Sequence, residues 1–125
     1  MKKIISTEQA PAAIGPYSQA TVHNGTLYVS GQLPIDPETG ELVEGDVTQE
    51  AHQVLKNLRA IIEAAGSKME NVLKATVLLT DLGNFAAVNQ VYAEYFPANP
   101  PARICYQVTA LPKGAQVEID AVCAI

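Results

Sequence analysis

The sequence predicts an α/β fold in which one mixed sheet carries two helices on a single face, and three observations predict it. Strand-like and helix-like patterns follow one another in the order strand, strand, helix, strand, helix, strand, strand. Right-handed crossovers between strands of such a chain put both helices on the same side of the sheet. An Asn-Gly pair at 24–25 separates two strand-like runs, a strong short-range hairpin signal. Finally, 125 residues, 48% of them hydrophobic, suffice for one core; a chain of this size buries roughly two-thirds of its unfolded surface. No repeat, low-complexity tract or linker interrupts the chain, so residues 1–125 are expected to form a single domain.

The elements follow in order. Ser18 to His23 and Thr26 to Gln32 are read as strands joined by a type I′ turn, because Asn24 and Gly25 both tolerate positive φ. A Pro- and Gly-rich loop runs from Pro34 to Gly45. Asp46 with Gln49 reads as a capping box for a helix whose apolar stripe is Val47, Ala51, Val54, Leu55, Leu58, Ile62 and Ala65. Gly66 ends it as the residue beyond the C-cap. Val72 to Thr80 is β-branched and apolar on both faces, as in a central strand covered on two sides. Asn84 is read as the cap of a second helix with the stripe Phe85, Val88, Tyr92, Tyr95 and Phe96, stopped by Pro97 and Pro100-Pro101. Arg103 to Val108 and Gln116 to Ala124 are read as a second hairpin around Leu111-Pro112-Lys113-Gly114.

Charge and composition exclude several function classes. Eight Lys plus Arg against thirteen Asp plus Glu give a net charge of −5, which opposes binding to nucleic acid or anionic lipid. No apolar run approaches the ~18 residues of a membrane span, and the apolar start at Ile4-Ile5 ends at once in Ser6-Thr7-Glu8. A cytoplasmic location is expected, with Cys105 and Cys123 reduced. His23 and His52 are far apart and no Cys/His cluster has ligand spacing, so no metal is expected. Lys113-Gly114 lacks the rest of a phosphate loop, and no His is placed to activate Cys105. Only 17% of residues are charged, against about 25% in an ordinary domain, which suggests that some surface does not face water.

Strand parity suggests which surface. Ala20, Val22, Leu27 and Val29 form the apolar side of the first hairpin, leaving Tyr17, Gln19, Tyr28, Ser30 and Gln32 on the side without helices. If Ala110 pairs with Ala115, then Ile104, Tyr106, Val117, Ile119 and Ala121 point to the core. Arg103, Cys105, Gln107, Glu118 and Asp120 then join the helix-free face. Cys123 takes the opposite parity to Cys105. That face is either a solvated sheet surface or a subunit interface enclosing a small polar site. Arg103 suits bidentate capture of a carboxylate, or else a structural ion pair with Glu118 or Asp120. Glu118 is a candidate general base or water-positioning group, or else an edge charge that discourages aggregation. In this register the two are about 13 Å apart, so either a bulge shortens the path or the site combines two subunits.

Four motifs then resemble one family. Ala12-Ala13-Ile14-Gly15-Pro16-Tyr17-Ser18-Gln19, Val29-Ser30-Gly31-Gln32-Leu33-Pro34, Lys74-Ala75-Thr76-Val77 with Asp81-Leu82, and Pro101-Ala102-Arg103 with Leu111-Pro112-Lys113 and Val117-Glu118-Ile119 resemble the Rid (YjgF) reactive-intermediate deaminases, most of all their RidA branch. The resemblance spans the chain. It implies a chorismate-mutase-like α/β fold, a homotrimer whose sheets form a central barrel with inter-subunit clefts, and hydrolysis of 2-imino acids such as 2-iminobutanoate and 2-iminopropanoate to 2-keto acids and ammonia, with no cofactor. It further implies that Arg103 holds the substrate carboxylate, that Glu118 positions or activates water, and that Tyr17, Ser30, Gly31, Asn89 and Cys105 line the pocket. Ile104 and Tyr106-Gln107 depart from the family pattern and bear on substrate preference. Two other functions are weighed: an endoribonuclease or translation inhibitor, also attached to the family name but opposed by the charge, and a non-catalytic, small-carboxylate-binding or chaperone-like trimer.

Overall fold

The first hairpin forms as the Asn-Gly pair requires: Asn24 and Gly25 have φ of 49° and 75°, and His23 pairs with Thr26, Thr21 with Tyr28. In the computed structural model, which describes residues 1–125, this hairpin comprises β2 (Ala20–His23) and β3 (Thr26–Gln32). The chain continues through α1 (Val47–Ala64), β4 (Val72–Leu79), α2 (Phe85–Tyr95), β5 (Ala102–Gln107) and β6 (Val117–Ala124). A short strand β1 (Lys3–Ile5), which the sequence reading did not assign, pairs antiparallel with β2. The mixed six-stranded sheet has the order β1-β2-β3-β6-β4-β5, and only the β4–β5 pair is parallel.

Local chemistry sets the helix ends. The Asp46 side chain accepts from the amides of Thr48 and Gln49, and the Gln49 side chain accepts from the Asp46 amide, completing the capping box. At the other end Ser67 N bonds Ile62 O and Gly66 N bonds Glu63 O, a Schellman closure in which Gly66 takes φ of 87°. α2 starts differently from the sequence expectation. Asn84 makes no side-chain cap; the Asp81 carboxylate instead accepts from Gly83 N at 2.8 Å and starts a 3₁₀ turn, Leu82–Asn84, that runs into the helix.

The core lies between the helices and one face of the sheet. Leu55, Leu58, Ile61 and Ile62 of α1 and Val88, Val91 and Tyr92 of α2 pack with Leu27, Val29, Ala75, Val77, Leu79, Val117, Ile119, Ala121 and Cys123. β4 is central, between β6 and β5, but only one of its faces is covered within the chain: Leu73 is exposed and Thr76 and Leu78 are half-buried. The expected two-sided cover is therefore absent from the single chain.

The second hairpin does not form. β5 and β6 lie on either side of β4, so Ala110 and Ala115 are not a turn pair. Pro112–Gly114 is a 3₁₀ turn with Lys113 at φ of 60°. The reason is the α2 crossover: β4, α2 and β5 make a parallel βαβ unit, and this sends β5 to the far edge of the sheet.

Ahead of β2, Ser18 and Gln19 lie outside the strand. The buried Gln19 side chain fastens the N-terminal strap, accepting from Thr7 N at 2.7 Å and donating to the carbonyls of Thr7, Ala10 and Pro11. This strap carries the approach to Tyr17. Replacing Gln19 by Ala leaves buried backbone groups without partners, so we expect a loss of about 2 kcal/mol or more in urea unfolding and faster proteolytic cleavage within residues 6–16, whereas the distant cap variant Asp46→Ala is expected to cost about 1 kcal/mol without that cleavage.

Candidate active site

Two clusters of the expected site residues form, on opposite faces of the sheet. The first is built by an irregularity in β3. Val29 pairs with Ala121 but Gln32 pairs with Ile119, so three steps on β3 match two on β6 and a bulge falls at Ser30-Gly31. The bulge turns Gln32 onto the core side, where it is buried, contrary to the face expected for it. It also brings Gly31 directly against Glu118: a Cβ on Gly31 would overlap the Glu118 carboxylate. Ser30 Oγ donates to Ser18 O at 2.6 Å and Ser30 N to Gln19 O at 2.9 Å, tying the bulge to the segment that carries Tyr17.

Glu118 and Asp120 alternate with Val117, Ile119 and Ala121 along β6 and occupy the helix-free face, as parity predicts. Partial burial of Glu118, with a smaller contribution from the Asp120 charge on the same face, pushes its carboxyl above the usual carboxylate range. Asp120 is held in place by accepting from Thr76 N at 3.1 Å. Tyr17 is exposed and borders three grooves. One, of about 170 Å³, is walled by Gly31, Ile14, Leu33 and Ile35, a second is bordered by Ser30 and Tyr28, and a third by the N-terminal strap.

The second cluster centres on Arg103, and here the sequence expectation is corrected. In the parallel pairing Ala75 faces Arg103 and Val77 faces Cys105, so these side chains share the helix side with Ala75 and Val77, while Ile104 and Tyr106 point to the helix-free face and are exposed. Cys105 and Cys123 consequently lie on the same side of the sheet, both as free thiols. Arg103 Nη1 donates to Asn89 Oδ1 at 2.8 Å, and its Cζ lies 4.9 Å from the Tyr92 ring centroid and 5.4 Å from that of Phe85. Gln107 Oε1 accepts from Leu82 N at 3.0 Å, fastening the end of β5 to the start of α2. Burial raises the Cys105 thiol and the Tyr92 hydroxyl above their ordinary values, and the Arg103 charge partly offsets both shifts. The Tyr92 hydroxyl is buried without a hydrogen-bond partner.

Thus Tyr17, Ser30, Gly31 and Glu118 come together, as do Asn89, Arg103 and Cys105, but the chain does not unite the two groups. Through β4, Arg103 stands level with Ala121, three residues along β6 from Glu118 and on the opposite face. The expected Arg103 ion pair with Glu118 or Asp120 is absent; Lys68 pairs with Glu70, and His52 Nε2 lies 3.9 Å from Glu94. Phe85 and Tyr92, which the sequence pattern places in the core stripe, stand beside Arg103, and 85, 89 and 92 fall on one helical face. No group of three or more His, Cys, Asp or Glu side chains converges, and no helix is long and apolar enough to cross a membrane.

The mixed sheet with two βαβ crossovers is the fold of solved Rid-family structures, and comparison with known proteins gives the family. The Endoribonuclease L-PSP family model matches residues 7–125, and the chain belongs to this family, the YjgF/Rid family. It is 57% identical over 122 residues to a 2-iminobutanoate/2-iminopropanoate deaminase of Capra hircus, covering 98% of this chain and 89% of the relative. Among solved structures it is similar to RidA from the Antarctic bacterium Psychrobacter sp. PAMC 21119, with 49% identity, a TM-score of 0.95 and coverage of 98% and 99% of the two chains. It is also similar to the Rid-family protein YyfA of Yersinia pestis, with 47% identity, a TM-score of 0.96 and full coverage of both.

The Gly31–Glu118 contact makes a specific demand. Gly31→Ala is expected to displace the carboxylate, the far end of a flexible side chain, and to destabilise the fold by about 1 kcal/mol, the low end of the cost of overpacking. In a Glu118→Ala background, where the obstructing carboxylate is gone, the same change should cost less than half as much by urea titration.

Proposed function

We propose that this chain hydrolyses reactive 2-imino acids, and their enamine tautomers, to 2-keto acids and ammonia, working as a homotrimer with each site shared between two subunits. The observation that carries the activity is the 57% identity, across 98% of the chain, to a protein named for that reaction. The reaction needs little of a catalyst: the iminium carbon is already electrophilic, so orientation, a directed water and a cationic anchor suffice. A cation without an acidic partner and a half-buried carboxylate are the two charged groups such a site requires, and both are available.

The geometry of the two clusters supports shared sites. Arg103 and Glu118 lie on opposite sides of one sheet, so a single small substrate meets both only if a neighbouring copy supplies one of them. The helix-free face supports such an assembly, because it exposes Tyr28, Leu73, Ile104 and Tyr106 beside half-buried Leu78 and Val122. Burying it against other copies accounts for the low share of charged residues. A net charge of −5 opposes the alternative of RNA cleavage.

In this reading Arg103 holds the substrate carboxylate through its guanidinium fork. Tyr17, Ser30, Gly31, Asn89 and Cys105 border the substrate. Glu118 accepts a proton as water adds to the imine carbon, giving a carbinolamine. That proton passes to the amine nitrogen, and the carbon–nitrogen bond breaks as the carbinolamine hydroxyl gives its proton back to Glu118, which hands it to the departing ammonia; the keto acid and ammonium leave and the carboxylate is restored. No electrons are exchanged and no cofactor takes part.

The test is a coupled assay in which a dehydratase generates 2-iminobutanoate or 2-iminopropanoate and keto-acid formation is timed. Added protein should accelerate it; an unchanged rate would overturn the activity. Arg103→Ala is expected to lower kcat/KM by about thirtyfold or more, the scale of losing one side of a charge pair, with the trimer retained by light scattering. Because Glu118 must be charged to accept a proton and its carboxyl is raised, activity should fall with decreasing pH through an apparent value above the ordinary 4.5. Glu118→Gln should remove that acid limb from whatever activity remains.

A further inference from the structure

We propose that Phe85 and Tyr92 are positioning residues that hold the Arg103 guanidinium for a carboxylate, so that one face of α2 sets the preference for substrates bearing one. The proposal rests on the reading of Arg103 as the carboxylate anchor. A long arginine on an edge strand ordinarily roams through many rotamers, and a free guanidinium is a poor template. Arg103, though exposed to solvent, is instead held by three groups. Its Cζ lies 4.9 Å from the Tyr92 centroid and 5.4 Å from that of Phe85, and Nη1 donates to Asn89 Oδ1 at 2.8 Å.

All three groups come from α2, at positions i, i+4 and i+7, which lie on one helical face. The parallel β4–β5 register then delivers Arg103 onto that face. All three are also neutral. A carboxylate in their place would confine the guanidinium as well, but it would cancel the charge and occupy the fork. Aromatic rings attract the cation through their quadrupoles and leave its charge available. Asn89 takes one of five N–H donors, and the donors that remain can engage a ligand carboxylate in bidentate fashion. Phe85 fits this role in one further respect: it is a large apolar side chain kept 39% exposed at the helix start, where burial alone does not explain it.

The test compares Phe85→Leu, Phe85→Tyr, Tyr92→Leu and Arg103→Ala by turnover of 2-iminobutanoate and by calorimetric binding of 2-oxobutanoate, a keto acid with the same carboxylate. Loss of one ring is expected to raise KM and weaken 2-oxobutanoate binding by about three- to thirtyfold, the range of a cation–π contact, with kcat within about twofold. Phe85→Tyr should restore both. A merely structural role would lower kcat and thermal stability together and leave the two constants unsplit. Because Tyr92 is buried and its loss is able to unfold the protein, Phe85 decides the outcome. If Arg103→Ala abolishes binding while Phe85→Leu leaves KM and binding unchanged, the positioning role is overturned and the anchor stands. If Arg103→Ala itself binds 2-oxobutanoate as wild type does, the anchor reading falls and this inference falls with it.

Discussion

The parallel pairing of β5 with β4, from Lys74↔Ala102 to Leu79↔Gln107, decides which way Arg103 points, and much else follows from that. A parallel neighbour inherits the parity of the strand beside it. Ala75, Val77 and Leu79 of β4 are buried under the helices, so Arg103, Cys105 and Gln107 must face the helices too. That orientation sets the guanidinium against α2 and separates it from Glu118. It equally turns Ile104 and Tyr106 outward, adding apolar surface to a sheet face that no helix covers. One strand position thereby links the geometry around Arg103 to the apolar character of the uncovered face.

The bulge in β3 has a comparable role at the other cluster. A regular strand would carry Ser30 and Gln32 on the same face and set a side chain at position 31 pointing inward. The extra residue instead sends Gln32 inward and leaves Gly31, the residue without a Cβ, in contact with Glu118. Glycine matters here because of a steric neighbour, the Glu118 carboxylate, which a side chain at position 31 would displace; its backbone is not in the left-handed region. Ser30 and Gln19 complete the arrangement by tying the bulge to the strap that leads to Tyr17, so the N-terminal segment belongs to this cluster as much as the strands do.

Charge is distributed in keeping with these two clusters. Glu118 is half-buried beside Asp120, and both influences disfavour its ionised form. Arg103 has aromatic and amide neighbours and no acidic one, so its positive charge is not neutralised within the chain. A buried carboxylate elsewhere is treated differently: Glu50 on α1 accepts from the backbone and side-chain amides of Gln116, which anchors the chain just ahead of β6 and of Glu118. Glu50 supports the scaffold with both carboxylate oxygens engaged, whereas Arg103 and Glu118, the charged residues of the proposed site, have no oppositely charged partner within the chain.

What the sequence by itself determined was local. Asn24-Gly25 specified the first hairpin and its register; Asp46 with Gln49 and Gly66 specified both ends of α1; and the alternation along β6 put Glu118 and Asp120 on the face opposite Val117 and Ile119. Each of these rests on interactions within a few residues or on a clean period of two. The motifs around Tyr17, Gly31, Arg103 and Glu118 likewise made the family legible, because spacing along the chain survives without knowledge of the fold. Tertiary structure alone decided the neighbours of β5 and the bulge at Ser30-Gly31. Arg103 to Gln107 mixes polar and apolar residues at both parities, so no period marks its inner face, and a hairpin with β6 satisfied the local pattern as well as a crossover did. The choice between them is made by long-range hydrogen bonds to β4 and by the packing of α2, interactions between residues whose pairing no local pattern records.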